Sequence, residues 1–335
     1  MEGGPGMEAL QEGCYRVVRQ VEKAVIGKSD AIRTILKAML CGGHVLLEDV
    51  PGVGKTLLVK ALTRALGLTF RRIQFTADMF PSDLTGTSVF QPSSGQFEFV
   101  PGPLFSPVVL ADELNRANPK TQSALLEAME ERRITVDGKS YELPEPFLVL
   151  ATQNPLEYEG TYPLPEAQLD RFLFRIRLGY PSREEEMGML ERVRGGDPLL
   201  HVEPALTLNE LKRMQKQVRD VYVHDKIRSY IVALSQATRK EERLVLGASP
   251  RASVALMRAA QSEAWFSGRD YVVPDDVKAM FLHVMGHRVR VADRFGSFGV
   301  GMDQHPYSDR HFDGERILEE IVESVEVPAF SPVSA

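Results

Sequence analysis

Along the first half of the chain, short runs of almost continuous apolar residues alternate with stretches that place apolar residues at helical spacing. The runs are HVLLE (44–48), TFRRIQF (69–75), PVVLAD (107–112), FLVLAT (147–152) and FLFRIRL (172–178). Runs this short, with little polar alternation, suit strands buried on both faces of a parallel sheet. The intervening stretches, LLVKALTRAL (57–66) among them, suit helices that cover such a sheet. The alternation predicts a three-layer αβα domain with a parallel five-stranded sheet over residues 1–180. Residues 7–40 predict two helices broken at VIGKSD, where Gly27 ends the first pattern and Ser29 or Asp30 caps the second.

Two segments interrupt the alternation as hairpins. GTSVFQPSSGQFEFVPG (86–102) sets Pro92-Ser93-Ser94-Gly95 between β-prone arms, and RITVDGKSYEL (133–143) carries Asp137-Gly138, a favoured two-residue turn. Both are inserts on the core, either surface decoration or working parts. Neither tip presents an aromatic, since Phe97 and Phe99 lie in an arm. After residue 180 the strand signal stops. Helical patterns near 207–219, 225–239, 249–266, 274–287 and 315–324 predict a smaller all-helical lid domain over 201–335, with RGGDP (194–198) in the connection. The Gly-, Asp- and His-rich tract 293–313 has no period and predicts a loop before a C-terminal helix.

Composition narrows the class without naming an activity. The 335 residues are 43% hydrophobic and 26% charged, as in a soluble globular protein. A formal net charge of -6 argues against a dedicated nucleic-acid binder, so no nucleic acid is expected as a partner. Cys14 and Cys41 make no CxxC pair and no disulfide framework. No apolar run reaches the roughly 18 residues of a membrane span. The acidic, glycine-rich MEGGPGMEAL does not look like a secretory signal, so a cytoplasmic location is the default expectation.

Candidate chemistry begins at LLEDVPGVGKT (46–56). The phosphate-loop pattern G-x-x-x-x-G-K-[ST] asks for glycine at position 49, and Asp49 stands there. The context is otherwise right: an apolar strand, a turn with Gly52, Val53 and Gly54, then a helical pattern opened by Lys55 and Thr56. Glycines let backbone N–H groups approach an anion at a helix N-terminus. Lys55 is placed to neutralise β- and γ-phosphate charge, and the Thr56 hydroxyl to ligate Mg²⁺, so ATP and Mg²⁺ are the expected cofactors. The strand PVVLADE ends in Asp112-Glu113. Asp112 suits a magnesium held through water, and Glu113 suits polarisation of the attacking water. Asn154 in ATQNP stands where it would orient that water, although Asn-Pro is also an ordinary turn signal.

Two arginines carry open alternatives. ASPRAS predicts a helix start with Ser249 as cap, Pro250 first and Arg251 in the first turn, where a cation opposes the helix dipole. Such a residue either reaches a bound γ-phosphate or pairs with an acid such as Glu241 or Glu242. Arg171 in PEAQLDRF is either a partner of Asp170 or a guanidinium offered to a neighbouring site.

The tracts EDVPGVGKT, LADELNRANPKTQSALLEAMEE, ATQNPLEYEGTYPLPEAQLDRF, YPSREEE and GASPRASVALMRAA together resemble a MoxR-type AAA+ ATPase, from about residue 25 to 289. The resemblance implies that Lys55 and Thr56 are Walker A, Asp112 and Glu113 Walker B, and Asn154 sensor 1. It further implies that Arg171 is an arginine finger acting in trans and Arg251 sensor 2, and that Val25, Ile26 and Gly27 line the adenine pocket. The hairpins match the helix-2 and pre-sensor-1 inserts, and Arg116, beside Asn115, is a candidate second contact between subunits. A chaperone-like remodeller or activator of protein clients is implied, in a homo-hexamer, often with a client carrying a von Willebrand factor A domain. A DNA-acting ring motor and a nucleotide-gated scaffold are the alternatives. His283 and His287, four apart, lack the glutamate and third ligand of a metal motif. REEE (183–186) fits the acidic first turn of a helix, and Trp265 fits packing.

Overall fold

The computed structural model describes residues 6–49, 52–154, 160–193, 196–292 and 306–329. The chain divides into two compact units, 1–215 and 216–335. The helix Leu208–Asp220 crosses the division, which falls later than the expected start of the second domain at 201.

The first unit is built on the five expected strands. Across the sheet their order is Phe70–Gln74, Val108–Asp112, Leu148–Gln153, Val45–Glu48 and Phe174–Ile176, and every neighbouring pair is parallel. Residues 45–47, 108–111 and 148–151 are fully buried, which is why their runs are continuously apolar. The edge strand differs, burying Ile73 while Arg72 and Gln74 stay exposed. After Val45–Glu48 the chain runs through the helix Lys55–Ala65 to the edge strand, and its last strand returns to the other side of Val45–Glu48. The carboxyl end of Val45–Glu48 is therefore a topological switch point, where open α/β sheets bind ligands.

The helices Met7–Glu22 and Ser29–Cys41 flank the expected break. The first buries Leu10, Cys14, Val17, Val18 and Val21, one stripe at helical spacing. Neither Ser29 nor Asp30 caps the second helix. Lys28 occupies that position without a side-chain cap, its ammonium donating instead to the Leu178 carbonyl, 2.7 Å away.

Both hairpins form, with strands Gly86–Gln91 and Gln96–Pro101 and strands Arg133–Val136 and Lys139–Glu142. Asp137 and Gly138 take φ of 52° and 75°, the positive pair that a tight two-residue hairpin turn needs. The inserts join each other: Phe99 stacks on Tyr141 at 4.1 Å, and Ser88 Oγ donates to Asp137 Oδ2 at 2.6 Å. Phe90 pairs in register with Phe97 just below the Pro92–Gly95 turn, and both rings are exposed, so aromatics stand closer to this tip than the arm placement suggests.

The second unit holds the helices Asp225–Lys240, Pro250–Phe266, Pro274–Met285 and Pro306–Ser324. Two expectations are corrected. The unit is not all helical, because Leu244–Leu246 pairs antiparallel with Arg290–Val291, two short runs too distant in sequence to announce each other. The expected loop over 293–313 gives way to helix from Pro306; residues 293–305 lie outside the described residues. Among its residues whose burial is described, Ile317, Leu318 and Ile321 supply the apolar contact, late in the helix and after a stretch rich in Asp and His. Trp265 is fully buried, and its Nε1 donates to Gln217 at 3.0 Å. The helix Pro274–Met285 ends before His287, so His283 and His287 do not share a helical face.

Candidate nucleotide site

At the carboxyl ends of four sheet strands opens a cleft of about 340 Å³. It is lined by Asp49, Gly52, Gly54, Lys55, Thr56, Leu57, Arg72, Asp112, Glu113, Thr152 and Asn154. The sequence-predicted phosphate loop, acid pair and Asn154 thus meet at one place. Gly52 and Gly54 have φ of 88° and 86°, and nothing lies within 4 Å of the position a Cβ would take at either. Backbone conformation, and room for a ligand, set the need for glycine there. Gly54 caps the helix that begins at Lys55. Lys55 Nζ donates to the Asp49 carbonyl at 2.7 Å. Burial lowers the Lys55 pKa, against the opposing charges of Asp49, Asp112 and Glu113.

Apart from Arg116, the acid pair is wired to residues that carry no motif. Arg72 donates to Asp112 Oδ2 from Nε at 3.0 Å and from Nη2 at 2.6 Å. Gln74 Nε2 donates to Glu113 Oε2 at 2.7 Å, and Arg116 Nε lies 3.0 Å from the same oxygen. The buried Thr152 hydroxyl links both residues, donating to Asp112 Oδ1 at 2.7 Å and accepting from the Glu113 N–H at 2.8 Å. Glu113 takes a left-handed backbone, φ 57° and ψ 48°. Among the described residues only Arg132 and Asp137 share positive φ without being glycine, and they end a helix and turn a hairpin. At Glu113 the strain sits in the site itself and aims the carboxylate. Asn115 Nδ2 donates to the Asn154 carbonyl at 3.4 Å, joining the turn after the acids to the end of the next strand.

The acid in place of glycine has a definite job. Asp49 commits its carboxylate to the main chain, accepting from the Leu178 N–H at 2.5 Å and the Gly179 N–H at 3.0 Å. Beside it, buried Glu48 faces Arg175 at 3.4 Å and Arg177 at 3.6 Å.

Other sequence-predicted residues lie elsewhere. Val25, Ile26 and Gly27 do not line the cleft. Gly27, at φ 71°, lies against Glu185, whose Oε1 would stand 1.7 Å from an added Cβ. Glu185 forms a reciprocal cap with Ser182 at the start of the helix Arg183–Val193 (2.8 and 3.2 Å), so part of REEE has a structural partner. Arg171 pairs with Glu130 at 3.2 Å in a separate cleft lined by Ser123, Glu127, Glu131 and Gln168 among others. In the second unit, Arg251 follows Pro250 at a helix start where Ser249 Oγ accepts from the Ala252 N–H at 3.3 Å. Glu241 is held by Arg243 at 2.8 Å, which lowers the Glu241 pKa. The sequence does not mark Arg72, Gln74, Thr152 or Lys28 as functional: the first three show only as polar residues inside otherwise apolar runs, and Lys28 lies in the break between the first two helices.

This sheet order, with a strand–loop–helix phosphate cradle and a paired acid on the next strand but one in the sheet, is that of an AAA+ ATPase. The model of the ATPase family associated with various cellular activities (AAA) matches residues 44–174, and the AAA lid domain matches 236–301. Chaperone MoxR1 of Mycobacterium tuberculosis is 43% identical over 86% of this chain and 78% of its own length. YeaC of Bacillus subtilis, uncharacterised, is 47% identical over 93% of this chain and 94% of its own. A crystal structure of a candidate ATPase from Cytophaga hutchinsonii superposes with a TM-score of 0.86 at 37% identity, covering 96% of this chain and 97% of that one. The chain belongs to the MoxR family of AAA+ ATPases, and its enzymatic activity is ATP hydrolysis.

Proposed function

We propose that this ATPase works as a homo-hexameric ring that remodels or activates protein clients in a chaperone-like way, a client with a von Willebrand factor A domain being the favoured class. Lys55 binds the β- and γ-phosphates, Glu113 polarises the attacking water, and Asn154 orients it. Thr56 and Asp112 offer hydroxyl and carboxylate oxygens that suit Mg²⁺, Asp112 through water. Among the described residues no group of three or more His, Cys, Asp and Glu could hold a metal, so the cation would draw its other ligands from phosphate and water, as Mg²⁺ prefers. Bound there, it would neutralise developing phosphate charge.

The observation that carries the ring is the separation of Arg171 from the nucleotide cleft. Arg171 lines a different cleft of the same unit, beside Glu130. A guanidinium in that position serves phosphoryl transfer only in a neighbouring subunit. Arg251, at the start of the helix Pro250–Phe266, is the residue proposed as sensor 2. The chaperone reading draws on MoxR1, which bears that description. Arg171→Ala and Lys55→Ala subunits, each inactive alone, are expected to regain ATP turnover when mixed. Rings that form without any recovery would overturn the trans role.

A further inference from the structure

The tripeptide Leu178–Gly179–Tyr180, which leaves the last sheet strand, is gripped through its main chain from two directions. Its N–H groups at 178 and 179 go to the Asp49 carboxylate at 2.5 and 3.0 Å. Its carbonyls at 178, 179 and 180 take the Lys28 ammonium at 2.7, 3.4 and 3.5 Å. Lys28 also faces Glu185 at 4.0 Å. Asp49 and Lys28 are only 7% and 8% exposed, so neither grip is a solvated surface contact. On its other side the Asp49 main chain accepts from Lys55 Nζ at 2.7 Å. A glycine at position 49 would supply that carbonyl but none of the anchoring.

We propose that Asp49 and Lys28 are positioning residues of the ATPase, which hold the phosphate loop and Lys55 in their binding arrangement through the 178–180 main chain. A loop fixed before the nucleotide arrives does not have to be ordered by it, and that ordering would otherwise be subtracted from affinity. The acid where the loop usually has glycine is thus a gain: it binds no phosphate and acts through the loop that does. Through Glu185, which touches both Lys28 and Gly27, the same linkage reaches the start of the helix Arg183–Val193. The proposal rests on Lys55 being the phosphate-binding lysine.

The test is titration of the full chain with ADP and ATP, together with steady-state ATP turnover. Asp49→Gly is expected to raise Kd and KM on the order of tenfold, with kcat falling by less than KM rises. Asp49→Asn, which keeps an acceptor oxygen toward one N–H, should recover most of the affinity. Lys28→Met should weaken binding in the same direction, and the Asp49→Gly/Lys28→Met double variant should bind no worse than the weaker single variant, because both act on one tripeptide. Wild-type Kd in Asp49→Gly, no rescue by Asn, or independent addition of the two effects would each overturn the clamp. Should Asp49→Gly not fold, unchanged Kd in both Asp49→Asn and Lys28→Met would overturn it. Lys55→Ala separates the layers: if it binds nucleotide normally the cradle assignment falls, whereas lost binding beside a normal Asp49→Gly removes the clamp alone.

Discussion

Glu48-Asp49 closes the strand Val45–Glu48, and Asp112-Glu113 closes the strand Val108–Asp112 of the same parallel sheet. In sequence the two pairs look interchangeable: an apolar run, then two acids. In the fold they differ by solvent and by partner. The side chains of Glu48 and its partner Arg175 are 7% and 4% exposed, while Asp49 is committed to main-chain donors. Asp112 and Glu113 open into the cleft, and Asp112 meets Arg72, whose side chain is 47% exposed. A carboxylate that must take up a cation or a water has to exchange partners cheaply, which half-solvated Arg72 and Gln74 allow. One committed to buried donors cannot exchange without a large desolvation cost, so it holds shape. Position at a strand end is therefore not enough to make an acid catalytic; its partners must be replaceable.

The sharpest break of this comparison is at Glu113. Glu113→Gln should lower ATP turnover by about 10²–10⁴-fold, the usual contribution of a positioned general base, while nucleotide binding persists. Affinity capture should then retain a client in ATP and release it in ADP. Unchanged turnover would remove Glu113 from the chemistry. The buried pair should answer in stability instead. Glu48→Ala removes the carboxylate facing a buried guanidinium and is expected to cost about 3–5 kcal/mol in urea unfolding. A cost under about 1 kcal/mol would be that of a solvated pair and would erase the contrast between the two strand ends.

A smaller effect should come from the foot of the same strand. His44 is buried, accepts from the Val149 N–H at 3.0 Å and lies 3.1 Å from the Met129 carbonyl. Burial pulls its pKa from 6.5 down to about 4. The folded chain keeps it neutral while the unfolded chain protonates it, so stability is full above about pH 6.5 and drains away as pH falls toward 4. The loss should approach roughly 3 kcal/mol, and His44→Asn should remove that part of the pH dependence. Unfolding curves that run parallel for the two proteins between pH 7.5 and 4.5 would refute it.

Much of the site was legible before folding was considered. Lys55, Thr56, Asp112 and Glu113 stand in local contexts that dictate their placement, since a strand–loop–helix aims its own backbone and a strand end aims its own last side chain. Arg72, Gln74 and Thr152 were not legible, because each acts on a strand that is its neighbour only across the sheet. Strand order depends on crossovers and not on local pattern. The helix from Pro306 and the Leu244–Leu246 pairing with Arg290–Val291 escaped for the related reason that weak local signals are completed by partners far along the chain.

Asp49 marks the boundary between the two kinds of information. By itself the sequence determined that a strand passes into a phosphate cradle there and that glycine was replaced by an acid. It also determined the layered α/β class and the placement of Lys55, Thr56, Asp112 and Glu113 in one cleft, because hydrophobic period and backbone-forced turns are local properties. What the acid does was decided only in three dimensions, where residues 178 and 179 bring their N–H groups to it and Lys28 closes on the same tripeptide from the other side. Hydrogen bonds between segments some 130 positions apart are set by how the sheet closes, and no local pattern encodes that.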